Sequence, residues 1–354
     1  MYKGQKRMLE GERLIVFRVD GNDKICSGHV MRCLAIAKAL NNKKQKCIFI
    51  TADSTMKEII EKNGFEVICL DTRWDNMEDE LSVLLPKLEE IKPKIIIVDS
   101  YYVTQKYMND IKKTVKLAYI DDRNAFEYRC DLLINYSIYG NEMNYTGVEK
   151  RKQLIGCKYV PLRSEFHDVE KRKIKDEVKD ILISTGGADI YGIGPRLVDA
   201  LIEIANRNNI VIHIVSGSLN SQRETLRRQS KKYNNLIVHE NVSEMCKLMR
   251  KCDMAISASG STLYELCATG VPTISYFFAD NQIYNSMAFE KNNIIPTAGD
   301  WRKDAKQVVY NIINFTEDMI NNRHKRIALA EKMQAIVDGK GAQRLADYIV
   351  RYIE

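Results

Sequence analysis

The chain has 354 residues, 45% hydrophobic and 29% charged, and this composition excludes a disordered, a collagen-like or a disulfide-stapled miniprotein chain. Its 54 Lys and Arg residues exceed its 47 Asp and Glu residues, which gives a formal net charge of +7. Because both signs are mixed along a chain long enough for two domains, the surplus predicts a solvated surface, and no nucleic-acid partner is expected.

The first half of the chain alternates short apolar runs with amphipathic stretches such as VMRCLAIAKALNN. The predicted strands are residues 14–18, 46–50, 66–70, 94–99, 115–121 and 131–135. Short runs rich in β-branched residues, separated by helices, are typical of βαβ units around a buried parallel sheet. The pattern therefore predicts a Rossmann-like domain over residues 12–163.

The pattern restarts after residues 164–178, a charged segment without apolar period that is predicted to link two domains. The second set of predicted strands is 180–185, 210–216, 235–240, 253–259 and 272–277. These strands predict a second Rossmann-like domain over residues 179–338, and the last helical stretch, 339–354, is expected to pack back on the first domain. The fold class is α/β, with two domains facing a cleft and ligands beyond the carboxyl ends of the strands.

The loop after the first strand, in RVDGNDKICSGHVMR, leads into a helix that begins near Gly28 or His29. A helix N-terminus supplies free N–H groups and a positive dipole end, which favours a neutral His29 able to accept a proton. The alternative is that His29 only caps the helix. The loop lacks the GxGxxG pattern, so a dinucleotide-binding dehydrogenase is not predicted.

The second domain offers two loops of the kind that approach phosphates. Gly186 and Gly187 directly follow a predicted strand, as in a phosphate or sugar loop, although a plain tight turn fits equally well. A second loop opens the helix of SGSTLYELCATG, and its residues are Ser259, Gly260, Ser261 and Thr262. Glycine lets the backbone approach a ligand, and the amide groups of a helix N-terminus can face an anion.

Three further polar residues lie close to these loops. Glu265, one turn into the helix, can reach ribose hydroxyls, or it can simply complement the helix dipole. Asn281 and Gln282 follow the next strand and can bind sugar hydroxyls or amides. Their alternative role is to cap the next helix. His213 and His239 lie in apolar strands and are predicted to be packed.

Nine cysteines, an odd number without any CxxC pair, predict reduced and buried thiols rather than disulfides or a zinc site. This cysteine usage is typical of a cytoplasmic protein, and no metal or cofactor is expected. The first segment, MYKGQKRMLEGER, has no apolar core of the signal-peptide type. The apolar runs are far shorter than the ~18 residues that span a bilayer, so no membrane span is expected.

Taken together, these motifs resemble the UDP-2,4-diacetamido-2,4,6-trideoxy-β-L-altropyranose hydrolases of pseudaminic acid biosynthesis and their spore-coat polysaccharide relatives, which have the GT-B fold. The resemblance extends from about Arg13 to Tyr352. GHVMRCLAIAKAL resembles the family's GHxxR helix, DSYY its Asp-x-Tyr turn and GCKYVPLRSEF its linker. SGSTLYELCATGVPTI is shared with many GT-B transferases and does not separate hydrolase from transferase.

The resemblance implies roles for residues of the first domain. His29 would activate water, and Tyr101 would lie in the cleft as a second catalytic residue. Asp20, Gly28 and Arg32 would be among the substrate-binding residues.

The resemblance also implies roles in the second domain. Residues 259–262 would hold the diphosphate, with Gly186 and Gly187 nearby, and Glu265 would hold the ribose. Asn281, as a catalytic residue, and Gln282 would address the sugar, and Arg163 would bind substrate at the domain junction.

The implied activity is release of UDP from a UDP-diacetamido-trideoxyhexose by water, with inversion at the anomeric carbon, in a monomeric enzyme. The loop DGNDKICS departs from the family's Ser-rich form, and Ser100 stands where a His is common, so the sugar itself stays open. Two alternatives also stay open: a GT-B glycosyltransferase with a UDP-sugar donor, and a non-catalytic nucleotide-sugar binding protein. No clear apolar, basic patch for a lipid acceptor is present in the first domain, which favours the hydrolase.

Overall fold

The computed structural model describes residues 13–22, 24–217 and 219–354. Residue 12, where the first domain is predicted to begin, and the rest of the segment before Arg13 lie outside the described residues. The described chain divides into two compact units. The first contains residues 13–136, 140–161 and 342–354, and the second contains residues 137–139 and 162–341.

The first unit is built around a parallel sheet of seven strands in the order β3-β2-β1-β4-β5-β6-β7. The strands are β1 Leu14–Val19, β2 Lys46–Thr51, β3 Glu66–Cys69, β4 Ile95–Asp99, β5 Lys116–Ile120, β6 Leu132–Asn135 and β7 Gln153–Ile155. The helices between them are α1 Gly28–Asn41, α2 Lys57–Lys62, α3 Met77–Ile91 and α4 Gln105–Lys112. The central strands are buried on both faces, which explains why they read as continuous apolar runs.

The second unit contains a parallel sheet of six strands in the order β10-β9-β8-β11-β12-β13. Its strands are β8 Asp180–Ser184, β9 Val211–Ser216, β10 Leu236–Glu240, β11 Met254–Ala258, β12 Thr273–Phe277 and β13 Thr297–Asp300. Its helices are α5 Ile193–Asn208, α6 Arg223–Lys232, α7 Met245–Lys251, α8 Thr262–Thr269, α9 Asp280–Lys291, α10 Ala305–Asn321 and α11 Arg323–Ile336. The last helix, α12 Gly341–Ile353, belongs to the first unit from residue 342 onward.

The two Rossmann-like α/β domains predicted from the alternating pattern are confirmed. Each predicted strand lies within a residue or two of an observed one, but β7 and β13 were not predicted. They have only three and four residues, and β13, TAGD, contains a single aliphatic side chain. The predicted linker, 164–178, is grouped with the second unit, where Phe166 is buried and Lys175 pairs with Asp253 at 2.9 Å.

The chain crosses over once within each sheet, so that the first strand of each sheet pairs with the next strand on one side and with a later strand on the other. In the first unit β1 lies between β2 and β4, and in the second β8 lies between β9 and β11. Ligands of open α/β sheets bind beyond the carboxyl ends of the strands at such a switch point. Two loop clusters are thereby singled out, one beyond β1 and β4 and one beyond β8 and β11.

A buried ion pair lies inside the first sheet. Arg18 of β1 and Glu80 of α3 are fully buried and form a bidentate pair, with Arg18 Nε donating to Glu80 Oε1 at 2.8 Å. The Tyr107 hydroxyl donates to the same Glu80 oxygen at 2.8 Å. Arg18 Nη1 donates to Asp20 Oδ2 at 2.6 Å, so the pair also fixes the first residue beyond β1.

In the described part of the chain, every helix is too short or too polar to traverse a bilayer.

Removal of one partner from this pair should destabilise the first unit strongly. Glu80→Ala leaves a buried guanidinium short of a counter-charge, a change that costs roughly 3 to 5 kcal/mol in comparable buried pairs. Glu58→Ala is the control, because it removes the exposed partner of Lys62 from α2. Urea unfolding followed by circular dichroism should show a much lower midpoint for Glu80→Ala only. Equal midpoints for the two variants would contradict the importance of the pair.

Candidate functional site

His29 lies in the first turn of α1, at the switch point of the first sheet. The loop before it is closed by Asn22, whose Oδ1 accepts the N–H groups of Lys24 and Ile25 at 2.9 and 3.0 Å. The N-cap residue of α1 is Ser27, and its side chain makes no capping bond. His29 instead bonds to the neighbouring strand β4, so the helix-capping alternative for this residue is not what the structure contains.

The partner of His29 is Asp99, the last residue of β4, which is fully buried. Asp99 Oδ1 lies 2.7 Å from His29 Nδ1. Arg32, one turn further along α1, donates to both carboxylate oxygens at 2.5 Å and to the Tyr136 hydroxyl at 2.6 Å. The burial of Asp99 opposes its ionisation, but the charges of Arg32 and His29 outweigh that penalty and hold the pKa of the carboxyl well below its ordinary value.

This contact fixes the state of the imidazole. An ionised carboxylate can only accept a hydrogen bond, so Nδ1 of His29 carries the proton. Arg32 Nη2 also lies 2.9 Å from Nδ1 and donates to Asp99 Oδ1, but a protonated Nδ1 has no lone pair with which to accept from it. The second ring nitrogen, Nε2, is then the basic one in the neutral ring, and it has no hydrogen-bond partner among the described residues.

A small pocket, partly open to solvent, lies beside His29. It is lined by Asp20, Ile25, His29, Asp99, Ser100, Tyr101 and Tyr102. The ring of Tyr101 packs edge-on against His29, with centroids 4.9 Å apart and planes at 86°. The Tyr101 hydroxyl donates to Asp122 Oδ2 at 3.0 Å, and burial raises the pKa of that carboxyl. The first unit therefore combines a carboxylate-bound imidazole, a neighbouring aromatic ring and a pocket.

The other residues expected to bind substrate in the first unit have protein partners. Asp20 accepts Ala52 N–H at 2.7 Å on one carboxylate oxygen and Arg18 on the other. It therefore forms a fixed, polar part of the pocket wall. Arg32 is engaged by Asp99 and Tyr136, so it orients the carboxylate that holds His29. A side chain at Gly28 would meet no atom within 4 Å, and this position is open.

In the second unit, the two helices at the switch point have different N-termini. Asp189 accepts the N–H groups of Ile193 and Gly194 at 2.8 and 2.9 Å, so α5 is capped by its own loop. Helix α8 has Ser261 as its N-cap residue, without a side-chain capping bond, and a Cβ at Gly260 would meet nothing within 4 Å. The amide groups of Leu263 and Tyr264 donate to the carbonyls of Gly260 and Ser261 at 3.2 and 3.0 Å. The N–H groups of Ser261 and Thr262 are therefore the ones at the start of α8 that can receive an anion.

The glycine loop after β8 lies beside this helix N-terminus in the sheet order. Gly186 has a φ of +83°, a conformation that residues with a side chain rarely adopt, and it lies near Phe278, the residue after β12. Gly187 follows in the same exposed turn. The polar loop residues Ser259, Ser261 and Thr262 and the two glycines thus belong to one edge of the second sheet.

Glu265 and Arg163 are brought together. Arg163 Nη2 donates to Glu265 Oε1 at 3.1 Å, and Arg163 Nη1 lies 2.9 Å from Glu165. Burial raises the pKa of Glu265 and Arg163 opposes that shift, so the carboxylate depends on its guanidinium partner. The side chain of Glu265 is 18% exposed and keeps a surface toward solvent.

The polar pair at the start of α9 does not cap that helix. Its N-cap residue is Ala279, and Gln282 Oε1 accepts the N–H of Phe278 at 3.1 Å. Asn281 is exposed. Asn285, one turn further, was not predicted to matter. It bonds to the Tyr264 hydroxyl at 2.6 Å and to the Ser259 carbonyl at 3.1 Å, and so ties α9 to the α8 loop.

Sequence reasoning missed Asp99 as the partner of His29. Its signal was present, because Asp99 is the polar residue at the carboxyl end of the apolar run KIIIVD. The described residues contain no cluster of three His, Cys, Asp or Glu side chains placed to bind a metal. The nine cysteines form no disulfide; six are buried, and Cys26, Cys69 and Cys157 are half-buried.

Comparisons with known proteins place these observations in a family context. Residues 195–347 match the glycosyltransferase family 28 C-terminal domain. The chain is 24% identical over 258 residues to the Campylobacter jejuni UDP-2,4-diacetamido-2,4,6-trideoxy-β-L-altropyranose hydrolase, covering 71% of this chain and 86% of that protein. It is 24% identical over 336 residues to the Bacillus subtilis spore coat polysaccharide biosynthesis protein SpsG, covering 92% and 94%.

Another relative is an uncharacterised protein of Methanocaldococcus jannaschii, 27% identical over 275 residues. That match covers 73% of this chain, which spans about half (54%) of the Methanocaldococcus protein. The crystal structure of MurG from Acinetobacter baumannii superposes with a TM-score of 0.70 at 15% identity, covering 96% of this chain and 99% of MurG. The family resemblance and the GT-B fold expected from the motifs are thereby confirmed, and the relatives' names support an enzymatic role.

The Asp99 contact makes stability depend on pH in a defined direction. Because the folded pKa of Asp99 is depressed, its contribution is complete above the unfolded value of about 3.9 and is lost as pH falls toward the folded value. Asp99→Asn should therefore lower stability on the order of 2 to 3 kcal/mol near neutral pH. The gap between its thermal midpoint and that of the wild type should narrow below about pH 4.

Asp347→Asn serves as the control for this prediction, because Asp347 pairs with Lys43 at an exposed position. It should show no comparable gap at any pH. A gap between Asp99→Asn and wild type that stays constant as the solution is acidified would contradict the assigned ionisation of Asp99.

Proposed function

We propose that the chain is a nucleotide-sugar hydrolase that releases UDP from a UDP-diacetamido-trideoxyhexose by attack of water at the anomeric carbon, with inversion. The observation that carries this proposal is the buried Asp99 carboxylate that holds His29 with Nε2 as its basic nitrogen beside a pocket. The name of the Campylobacter relative supports the substrate class. The anomeric carbon of such a substrate already carries a good leaving group, so a positioned water and a base are the remaining requirements.

His29 acts as the general base in this scheme. Nε2 takes a proton from water while the water oxygen bonds to the anomeric carbon, and the bond from that carbon to the phosphate oxygen breaks. The electron pair leaves with UDP, and the imidazolium later releases its proton to solvent. Asp99 stabilises the positive ring and keeps Nδ1 as the donor, as a carboxylate does behind other catalytic histidines. One displacement inverts the anomeric centre.

Tyr101 supports the base in this scheme. Its ring restricts the orientation of His29, and the hydroxyl bond to Asp122 restricts the tyrosine in turn. We assign the sugar to this pocket of the first unit. Asp20, fixed by Arg18 and the Ala52 amide, forms part of the wall that the sugar contacts.

UDP is assigned to the switch point of the second unit. The amide groups of Ser261 and Thr262 at the start of α8 and the open backbone at Gly260 suit a diphosphate, whose negative charge the helix dipole stabilises. As UDP leaves, its charge increases, so the same donors stabilise the transition state without an acid. Gly186 and Gly187 flank this position, Glu265 accepts the ribose hydroxyls, and Asn281 and Gln282 address the sugar.

A glycosyltransferase is the second candidate, favoured by the match to the glycosyltransferase family 28 C-terminal domain. His29 would then deprotonate an acceptor hydroxyl. Incubation with a panel of UDP-sugars, with and without acceptor extracts, separates the alternatives. UDP release without acceptor is expected for the hydrolase. Release only with acceptor would identify a transferase, and UDP binding with no turnover of any sugar nucleotide would identify a binding protein.

Removal of the imidazole should abolish turnover selectively. In His29→Ala, the rate should fall by about 10² to 10⁴, the usual contribution of a general base. The affinity for UDP, measured by calorimetry, should not change, because UDP is assigned to the other unit. His324→Ala, at an exposed position of α11, is the matched control and should keep full activity. A fully active His29→Ala enzyme would eliminate His29 as the base.

Glu265→Ala should weaken UDP binding through the loss of charged hydrogen bonds to ribose, an effect of about 1.5 to 3 kcal/mol. Because this change also frees Arg163, Glu165→Ala is the appropriate control: it removes the other carboxylate on the same guanidinium. Calorimetry should show the weaker binding for Glu265→Ala alone. If both variants bind UDP like the wild type, Glu265 does not contact the nucleotide.

A further inference from the structure

An aromatic cluster lies next to the His29 pocket and has no role in the scheme so far. It consists of Trp74, from the loop after β3, Tyr102, from the loop after β4, and Lys24, from the loop before α1. The rings of Trp74 and Tyr102 are perpendicular, with planes at 89° and centroids 5.1 Å apart. Lys24 Nζ lies 5.9 Å from the centroid of the Trp74 ring. Three separate loops thus converge at the carboxyl edge of one sheet.

The cluster is partly exposed and borders the pocket of His29. Tyr102 is 41% exposed and Trp74 is half-buried, and Tyr102 lines the same pocket as His29. The only other tryptophan of the sequence, Trp301, is 4% exposed and packs beside Tyr276 in the core of the second unit. Ligand pockets are typically lined by such aromatic surfaces with a few polar groups.

The charged pair that flanks Trp74 and the backbone amide of Tyr102 are engaged elsewhere. Arg73 pairs with Asp75 on either side of the tryptophan, with contacts of 3.0 and 3.1 Å. The Tyr102 amide donates to Ser100 Oγ at 3.1 Å. The indole N–H of Trp74 has no acceptor in the described part of the chain. The cluster therefore offers apolar ring surface with three polar groups at its edge: the indole N–H, the Tyr102 hydroxyl and the Lys24 ammonium.

On the basis of the proposed function, we propose that Trp74 and Tyr102 form a specificity wall for the acylamino substituent of the sugar. An acetamido group has an apolar methyl that packs on aromatic surface and one carbonyl oxygen that accepts a hydrogen bond from the indole N–H. Lys24 stabilises the indole position through its charge over the ring. The wall selects N-acylated deoxysugars over fully hydroxylated ones, which leave its apolar surface uncovered.

The emission of Trp74 reports directly on this contact, because Trp301 is buried in the other unit. The His29→Ala variant should be titrated with UDP-2,4-diacetamido-2,4,6-trideoxy-β-L-altropyranose, which stays intact during the measurement, and separately with UDP. We expect the tryptophan emission to change with the sugar nucleotide, to change less with UDP, and to lose its response when Trp74→Phe is added. An unchanged emission, or the same change with UDP alone, would contradict the proposal that Trp74 and Tyr102 contact the acylamino group.

Steady-state kinetics in the His29-containing enzyme supply the second readout. Trp74→Ala should lower kcat/KM for the diacetamido substrate by about tenfold, the scale of a lost aromatic contact, with the affinity for UDP unchanged. Tyr310→Ala, which removes an exposed aromatic of α10, is the control and should have no effect. An unchanged kcat/KM in Trp74→Ala would also contradict the proposed contact between Trp74 and the sugar.

The two readouts separate this proposal from the proposed function. If the wild type hydrolyses the substrate normally but Trp74 emission does not change on binding, the proposed role of Trp74 and Tyr102 is wrong and the proposed hydrolase activity stands. If Trp74 emission changes on binding of the sugar nucleotide but the wild type releases no UDP, the proposed hydrolase activity is wrong and the contact of the sugar with Trp74 stands. If neither the Trp74 emission changes nor UDP is released, both proposals are wrong.

Discussion

The site of the first unit depends on the contacts that the buried Asp99 carboxylate makes with His29 and Arg32. The carboxylate lies at the end of a central strand and binds a histidine and an arginine from successive turns of one helix. An unpaired carboxylate in that position would be costly, and the charges of both partners offset its desolvation. The same contact decides which nitrogen of His29 carries the proton. Stability and chemistry are therefore coupled through one side chain.

Much of this arrangement could be predicted because its signals are local. Runs of β-branched residues marked the central strands, and polar or glycine residues directly after them marked the loops at the ligand-binding edge. The pairing of His29 with Asp99 joins residues 70 positions apart, and no local pattern specifies it. The same holds for Arg163 and Glu265, which are 102 positions apart. Strands β7 and β13 were not predicted, because three or four residues are too few to show a clear pattern of apolar residues.

The second unit illustrates why a motif needs its structural context. Two helices begin at its switch point, each behind a glycine-containing loop. The Asp189 side chain occupies the amide groups of α5, whereas those of α8 have no side-chain cap. Sequence alone treated both loops as candidates for an anion. The side-chain contacts favour α8, and Asn285 holds that loop in place through Tyr264 and the Ser259 carbonyl.

In the proposed reaction, His29 directs water to the anomeric carbon. The most direct measurement is hydrolysis of UDP-2,4-diacetamido-2,4,6-trideoxy-β-L-altropyranose in water enriched in heavy oxygen, with the products analysed by mass spectrometry. If water attacks the carbon, the label appears in the released sugar and UDP stays unlabelled. Label in UDP would mean attack at phosphorus, and it would contradict the role assigned to His29 and its pocket.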